Sequence, residues 1–242
     1  MTRADGQFPE TRWSAVQASV DADEGRRRDG FARIAGSYWR TVYVYLRLHH
    51  RRNAEDASDL TQGFFEHWWT SMLAARFDPK LARFRTFVRS CLDHYVANIA
   101  RAASTQKRGG RDQHVPIDTA DLERDVQLAD PSVSADPERL FEAEWARTLL
   151  EQSLEALREV YRASNRIADV EMFERYALPE GDRPTYEALA RDYNLPVTTV
   201  TNRLAGARRE LKSLILTRLR EITMTEDEYR SEADRLLGVQ LP

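Results

Sequence analysis

Thr198, Thr199, Thr201, Asn202 and Arg208 set hydroxyls, an amide and a cation on one side of a helical repeat, while Val200, Leu204, Ala207 and Leu211 line the other. Such a polar face can bond phosphates near a helix N-terminus and base edges deeper in the major groove. Just upstream, Tyr186, Leu189 and Ala190 make the apolar edge of a shorter helix, with small Ala190 where two crossing helices must approach closely. Asn194-Leu195-Pro196 supplies the turn between them, and Pro196 sits near the first helical turn, where its missing N–H costs little. The spacing predicts a helix-turn-helix over 185–211; the competing reading is a helical hairpin with a solvated face. A second polar face, Arg85, Arg89, His94, Asn98 and Arg101, runs along an earlier helical repeat that ends in Lys107-Arg108-Gly109-Gly110-Arg111.

Other chemistry is not offered. Five scattered histidines and the single Cys91 suggest no metal-ligand cluster, and there is no glycine-rich phosphate loop or nucleophile elbow. Glu151, Glu155 and similar carboxylates fall on solvated helix faces. We therefore expect no enzyme activity, no metal, no cofactor and no small-molecule substrate. One cysteine excludes an internal disulfide and fits a reducing compartment. No apolar run has the length of a membrane span and the N-terminus has no apolar signal core, so the expected location is cytoplasmic, away from any membrane.

Low glycine and proline counts and the absence of alternating β-rich runs across 242 residues point to an all-α chain. Near the N-terminus, a short helix over 11–19 turns Trp13 and Val16 inward. Phe31, Ile34, Ala35, Tyr38, Val42, Tyr45 and Leu46 form one apolar stripe. A second helix starts at the N-cap Asn53, with Asp56 three residues on, and passes through Leu60, Phe64, Phe65, Trp68 and Trp69; one tryptophan should be core and the other packed on a neighbour. A third, over 81–104, carries Phe84, Phe87, Val88, Cys91, Leu92, Tyr95, Val96 and Ile99 as core positions. Residues 112–136 are polar and acidic, with Arg124 the only Lys or Arg, and read as an extended linker in which 121–128 has the pattern of a helical turn or two. The net charge of −3 is thus unevenly spread, and the acidic linker is positioned to associate with basic faces of the first domain. Helical periodicity returns near Pro137, and Thr225 caps a last helix over 226–237.

With these motifs in order, the chain resembles the group IV, extracytoplasmic-function sigma factors of bacterial RNA polymerase. Glu55-Asp56-Ala57-Ser58-Asp59-Leu60-Thr61-Gln62-Gly63-Phe64-Phe65 looks like the family's docking signature, Phe84-Arg85-Thr86-Phe87 like the aromatic run before its DNA-reading helix, and Pro196 to Leu204 like its promoter-recognition helix. The resemblance implies two helical domains joined by an acidic linker: a sigma-2-like domain over 10–111, the linker over 112–136, a sigma-4-like helix-turn-helix domain over 137–216, and a C-terminal helical extension over 217–242. Asp56, Asp59, Leu60, Gln62 and Phe65 would dock on the clamp helices of core polymerase. His94, Asn98, Arg101, Lys107, Arg108 and Arg111 would hold the melted −10 promoter element, and Thr198, Thr199, Thr201, Asn202, Arg203 and Arg208 would read the −35 element. The linker would thread the polymerase's RNA path. Promoter DNA and core polymerase are the expected partners.

The departures carry their own expectations. Ser58 and Gly63 stand where acids are common, which makes the docking face less negative. A phosphate on Thr61 would restore about −1.5 to −2 charges, so phosphorylation at Thr61 is expected to strengthen polymerase binding, with a Ser/Thr protein kinase as a further partner. Thr201 and Gly206 leave the recognition helix neutral and small, so its own DNA affinity should be weak and rely on tethering by polymerase. The rival function is a free-standing helix-turn-helix repressor or activator, which should bind palindromic duplex alone.

Overall fold

The structure, a computed structural model, describes residues 14–105, 120–128, 136–179 and 181–239. Among them all regular structure is helical. The chain separates into two compact units, Met1–Trp145 with Arg220–Tyr229, and Ala146–Leu219 with Arg230–Pro242. The divide falls inside helices rather than in the linker that the sequence marks.

In the first unit, α1 (Ala15–Ala18) is a single turn closed by a reciprocal Ser14–Gln17 capping box. Helix α2 (Glu24–Leu48) starts at Asp23, whose carboxylate accepts from the Arg26 N–H, and buries Ile34, Tyr38, Val42 and Tyr45. The α1 backbone crosses α2 at Gly30: a Cβ there would overlap the Ser19 nitrogen and lie 2.7 Å from the Ala15 oxygen. Helix α3 (Ala54–Thr70) has the predicted Asn53 cap, which accepts from the Asp56 N–H at 2.8 Å and donates back to its carboxylate at 3.0 Å. A 3₁₀ turn (Leu73–Arg76) follows Met72, which holds a left-handed φ of 46°. Helix α4 spans Phe84–Thr105. Trp13, placed inward by the sequence, lies outside the described residues.

The core of this unit is aromatic. Phe84 meets Tyr38, Trp68 and Phe77 edge-on at 5.1–6.0 Å between centroids. Trp68 is buried, while Trp69 packs at the surface on Phe31 under Arg27. Two expectations for α4 need correction. Ile99 is 43% exposed, because residues 97–103 run out beyond the described elements that cover the earlier turns. Arg85, expected on a solvated face, is buried over the Trp145 ring and near Glu142, which keeps its charge partnered.

Gly63 is less a lost charge than a seat for Tyr95. A Cβ at Gly63 would overlap the Tyr95 hydroxyl while lying 3.6 Å from the ring carbon that bears it. Tyr95 stacks on His67 and meets Phe64 edge-on, so it cannot step aside without losing both. Gly63→Ala should therefore destabilise the protein by about 1–2 kcal/mol. In a Tyr95→Phe background the same change should stabilise by up to about 1 kcal/mol, the helix propensity of Ala over Gly. Urea denaturation of the four proteins in this double-mutant cycle reads the sign change; a Gly63→Ala cost that persists in the Tyr95→Phe background would rule out the hydroxyl as its cause.

The linker is not extended throughout. Ala120–Leu128 forms α5, which lies on α2. Glu123 accepts from Arg47 Nε and Nη2, each at 2.6 Å, and from the Tyr43 hydroxyl at 2.5 Å. The linker thus meets a cation of the first domain on α2, not on the basic α4 face. The Arg47 hydrogen bonds, outweighing desolvation and aided by Tyr43, hold the Glu123 carboxyl below its ordinary range. A depressed carboxyl contributes stability that is present above its unfolded value and lost as pH falls through its folded one. Helix α5 should stay docked at neutral pH and detach below the ordinary carboxylate range. Amide hydrogen exchange across that range checks it: α5 protection that is independent of pH would disprove the clasp.

Helix α6 (Pro137–Ala163) begins with Pro137 behind the capping carboxylate of Asp136. In the second unit, its later turns join α7 (Ile167–Ala177), α8 (Tyr186–Asp192) and α9 (Val197–Ile222). One core unites Leu157, Val170, Met172, Phe173, Leu189, Val200, Leu204 and Ala207. The two tight corners are turned by Asn165 and Asn194 at φ 54° and 51°, a region asparagine tolerates better than most residues. Helix α10 (Glu226–Leu237) starts at Thr225, whose hydroxyl accepts from the Glu228 N–H. Its first turn belongs to the first unit. There Glu228 accepts from the Phe84 N–H at 2.6 Å and from the Met224 N–H at 3.0 Å, so a carboxylate closes the N-terminus of α4.

Candidate functional site

The helix-turn-helix forms where the spacing put it. Thr185 caps α8, its hydroxyl accepting from the Ala188 N–H, and the chain turns at Asn194 before Pro196 opens α9. Val200, Leu204 and Ala207 are buried beneath Leu189 and Ala190. Thr198, Thr201, Asn202 and Arg208 are exposed, and Thr199 and Arg203 partly so. Helical geometry puts Asn202 and Arg209 opposite the buried stripe, with Thr198 and Gly206 beside them. Thr201 and Arg208 fall on one flank, and the Thr201 hydroxyl donates to the Val197 carbonyl at 3.0 Å.

The other flank borders a concavity of about 440 Å³ lined by Thr199, Asn202, Arg203, Gly206, Arg209 and Glu210 from α9 and by Tyr161 and Arg166 from the α6–α7 corner. Three arginines reach it, two of them paired to Asp169, against one lining glutamate, so exposed Arg209 is the cation that the expected neutral recognition face leaves out. Arg166 and Arg203 are fixed there by one buried carboxylate. Asp169 accepts from Arg203 Nη1 at 2.7 Å through one oxygen and from Arg166 Nε at 2.9 Å through the other, while Arg166 also lies over the Tyr161 ring. Arg203 is therefore an anchored rim residue rather than an outward base reader. Arg166 and Arg209 were not among the sites read from sequence. Arg209 was findable, being seven residues beyond Asn202 on the same face; Arg166 was not, because only the fold brings its corner to α9.

In the first unit, α3 presents two faces of different character. Ala57, Thr61, Phe64, Phe65 and Trp68 are buried, whereas Glu55, Asp56 and Glu66 are exposed and Asp59, Leu60 and Gln62 partly exposed. One residue assigned to docking, Phe65, and the expected phosphorylation site, Thr61, thereby lie inside. Phe65 stacks on Trp39 as a core ring, and Thr61 is 0% exposed, its hydroxyl donating to the Ala57 carbonyl at 2.7 Å. A kinase could reach Thr61 only after this face had opened. The outer face is more acidic than the motif suggests, because α3 holds Glu55, Asp56, Asp59 and Glu66 and no Lys or Arg.

The third group lies on the projecting end of α4. His94, Asn98 and Arg101 are all exposed on one face; Arg101 donates to the Asn98 amide oxygen at 2.8 Å and His94 Nδ1 to the Ser90 carbonyl at 2.9 Å. Lys107, Arg108 and Arg111 lie outside the described residues. Cys91 is half-buried, and burial pushes its thiol up to about 11, so it is a poor nucleophile at neutral pH. The histidines are less dispersed than they look in sequence: His49, His50 and Asp93 offer ligand atoms within 4.8 Å of one another.

No described helix is long and apolar enough to cross a membrane. No family model, curated protein or solved structure matches this chain.

Proposed function

We propose that the chain is a sigma factor, a subunit that directs bacterial RNA polymerase to specific promoters. The observation that carries the reading is the presence, in one all-α chain, of a helix-turn-helix edged by Arg166, Arg203 and Arg209 and of a helix, α3, whose outward charges are all acidic. A DNA reader that works alone needs no such uniformly negative helix, whereas a subunit carried by a larger enzyme needs a docking surface. Asn202 and Arg209 would contact base edges, Arg166 and Arg203 would follow phosphates, and the α4 face at His94, Asn98 and Arg101 would meet the separated strand. The chain would act in the cytoplasm, with core polymerase and promoter DNA as partners. Phosphorylation of Thr61 is not needed for this reading.

Reconstitution tests it. Purified protein added to core polymerase should yield promoter-dependent transcripts from a genomic fragment library. Glu55→Lys combined with Glu66→Lys should weaken core binding about tenfold or more while leaving the fold intact. Asn202→Ala or Arg209→Ala should leave core binding unchanged and cost about 1–3 kcal/mol of promoter discrimination. Tight binding to palindromic duplex without polymerase, and no transcripts with it, would establish the repressor reading instead.

A further inference from the structure

We propose that His49, His50 and Asp93 form a binding site for a divalent transition-metal ion of the zinc class, tying the end of α2 to the middle of α4. The placement is specific. His49 is the C-cap of α2, its N–H still donating to the Tyr45 carbonyl, and the chain then reverses at Arg51, which holds φ 51°. The two adjacent imidazoles therefore stay together, with centroids 4.8 Å apart, instead of pointing to opposite sides. Asp93 reaches them from α4, with Oδ1 3.0 Å from His50 Nε2. A tetrahedral ion with bonds of about 2.0–2.1 Å has ligand–ligand edges of about 3.3 Å. The His50–Asp93 pair is already near that spacing, and all three ligand atoms lie within 4.8 Å of one another.

The surroundings orient the carboxylate. Arg89 donates to Asp93 Oδ2 at 3.0 Å, and the Tyr45 hydroxyl donates to Oδ1 at 3.1 Å, which leaves Oδ1 directed at the histidines. Tyr45 also stacks on His49. Such outer hydrogen bonds are what fix ligand geometry in metal sites. The side chains of His50 and Asp93 are 19% and 32% exposed, which admits an ion and leaves room for water as a fourth ligand. Two imidazoles and one carboxylate favour zinc, cobalt or nickel over magnesium or calcium. Arg89 opposes any cation beside it, which places the affinity in the micromolar range rather than lower.

The alternative use of these groups is a hydrogen-bonded hub without metal, and the two separate cleanly. Zinc chloride and cobalt chloride are titrated into the full chain by calorimetry, with magnesium chloride as control. The expected result is one equivalent of zinc or cobalt bound at about 10 µM or tighter, and no magnesium. His50→Ala and Asp93→Asn should each weaken zinc binding at least tenfold, while His67→Ala with His94→Ala leaves it unchanged. Absence of a saturable site in the wild-type chain, or zinc binding undiminished in a folded His49→Ala/His50→Ala protein, would each overturn the proposal.

Discussion

Thr61→Glu is expected to destabilise the first unit by about 3–5 kcal/mol, the usual cost of leaving a charge buried without a partner. Thr61 is fully enclosed on the inner stripe of α3, and its hydroxyl is already satisfied by the Ala57 carbonyl one turn back. A glutamate there would be larger by two heavy atoms and would have to stay neutral or lift the inner face of α3, with Phe64 and Trp68, out of the core. Thr61→Val tests the cavity rather than the charge. It keeps the shape and removes a donor whose acceptor also takes the ordinary helical bond, so the change should stay within about 1 kcal/mol. Urea denaturation of both variants separates these outcomes. A Thr61→Glu protein with wild-type stability and raised affinity for core polymerase would show that α3 turns its inner face outward, and would restore the phosphorylation switch. Loss of polymerase binding in that variant, by contrast, would report unfolding and say nothing about a kinase.

Gly30→Ala should cost about 2–3 kcal/mol, toward the upper end of overpacking effects, although alanine is the better helix former by about 1 kcal/mol. The atoms in the way are the Ser19 nitrogen, the Ala15 oxygen and the Ala18 carbonyl carbon. They are backbone, and no rotamer change moves them aside. Either α1 leaves its seat or α2 bends. Gly36, in the same helix, has nothing within 4 Å of the point a methyl would occupy, so Gly36→Ala should stabilise by up to about 1 kcal/mol. Opposite signs for one substitution at two sites in one helix isolate the close crossing from helix propensity. Equal effects would mean that α1 is not held there.

Much of the fold was readable because its signals are local. Asn53 and Thr225 each cap the helix that the sequence assigned to them. The helix-turn-helix followed from apolar spacing and a turn. What could not be read depends on which neighbours arrive. The repeat through Ile99 is as regular as that through Val96, yet no other described element covers Ile99. Arg85 looks solvated until Glu142 and Trp145 are brought beside it. His50 and Asp93 are 43 residues apart, and only the α2–α4 packing joins them. Thr61 is a different case: Ala57, Phe64 and Trp68 lie four residues before it and three and seven after it, a helical spacing that marks it as core. The docking motif drew attention to the charges around Thr61 and away from that spacing.

The carboxylate that closes α4 has a consequence for how the chain is made. Glu228 and Phe84 are 144 positions apart, and residues 220–229 complete the first unit only after the whole intervening segment has been synthesised. At about 5–20 residues per second, the ribosome adds the 84 residues from Trp145 to Tyr229 in roughly 4–17 s. During that interval the helix that carries Asn98 and Arg101 lacks the carboxylate that closes its start, while α7, α8 and α9 are being made. The second unit likewise takes in residues 230–242, so neither unit is complete until the segment beyond residue 219 has been made.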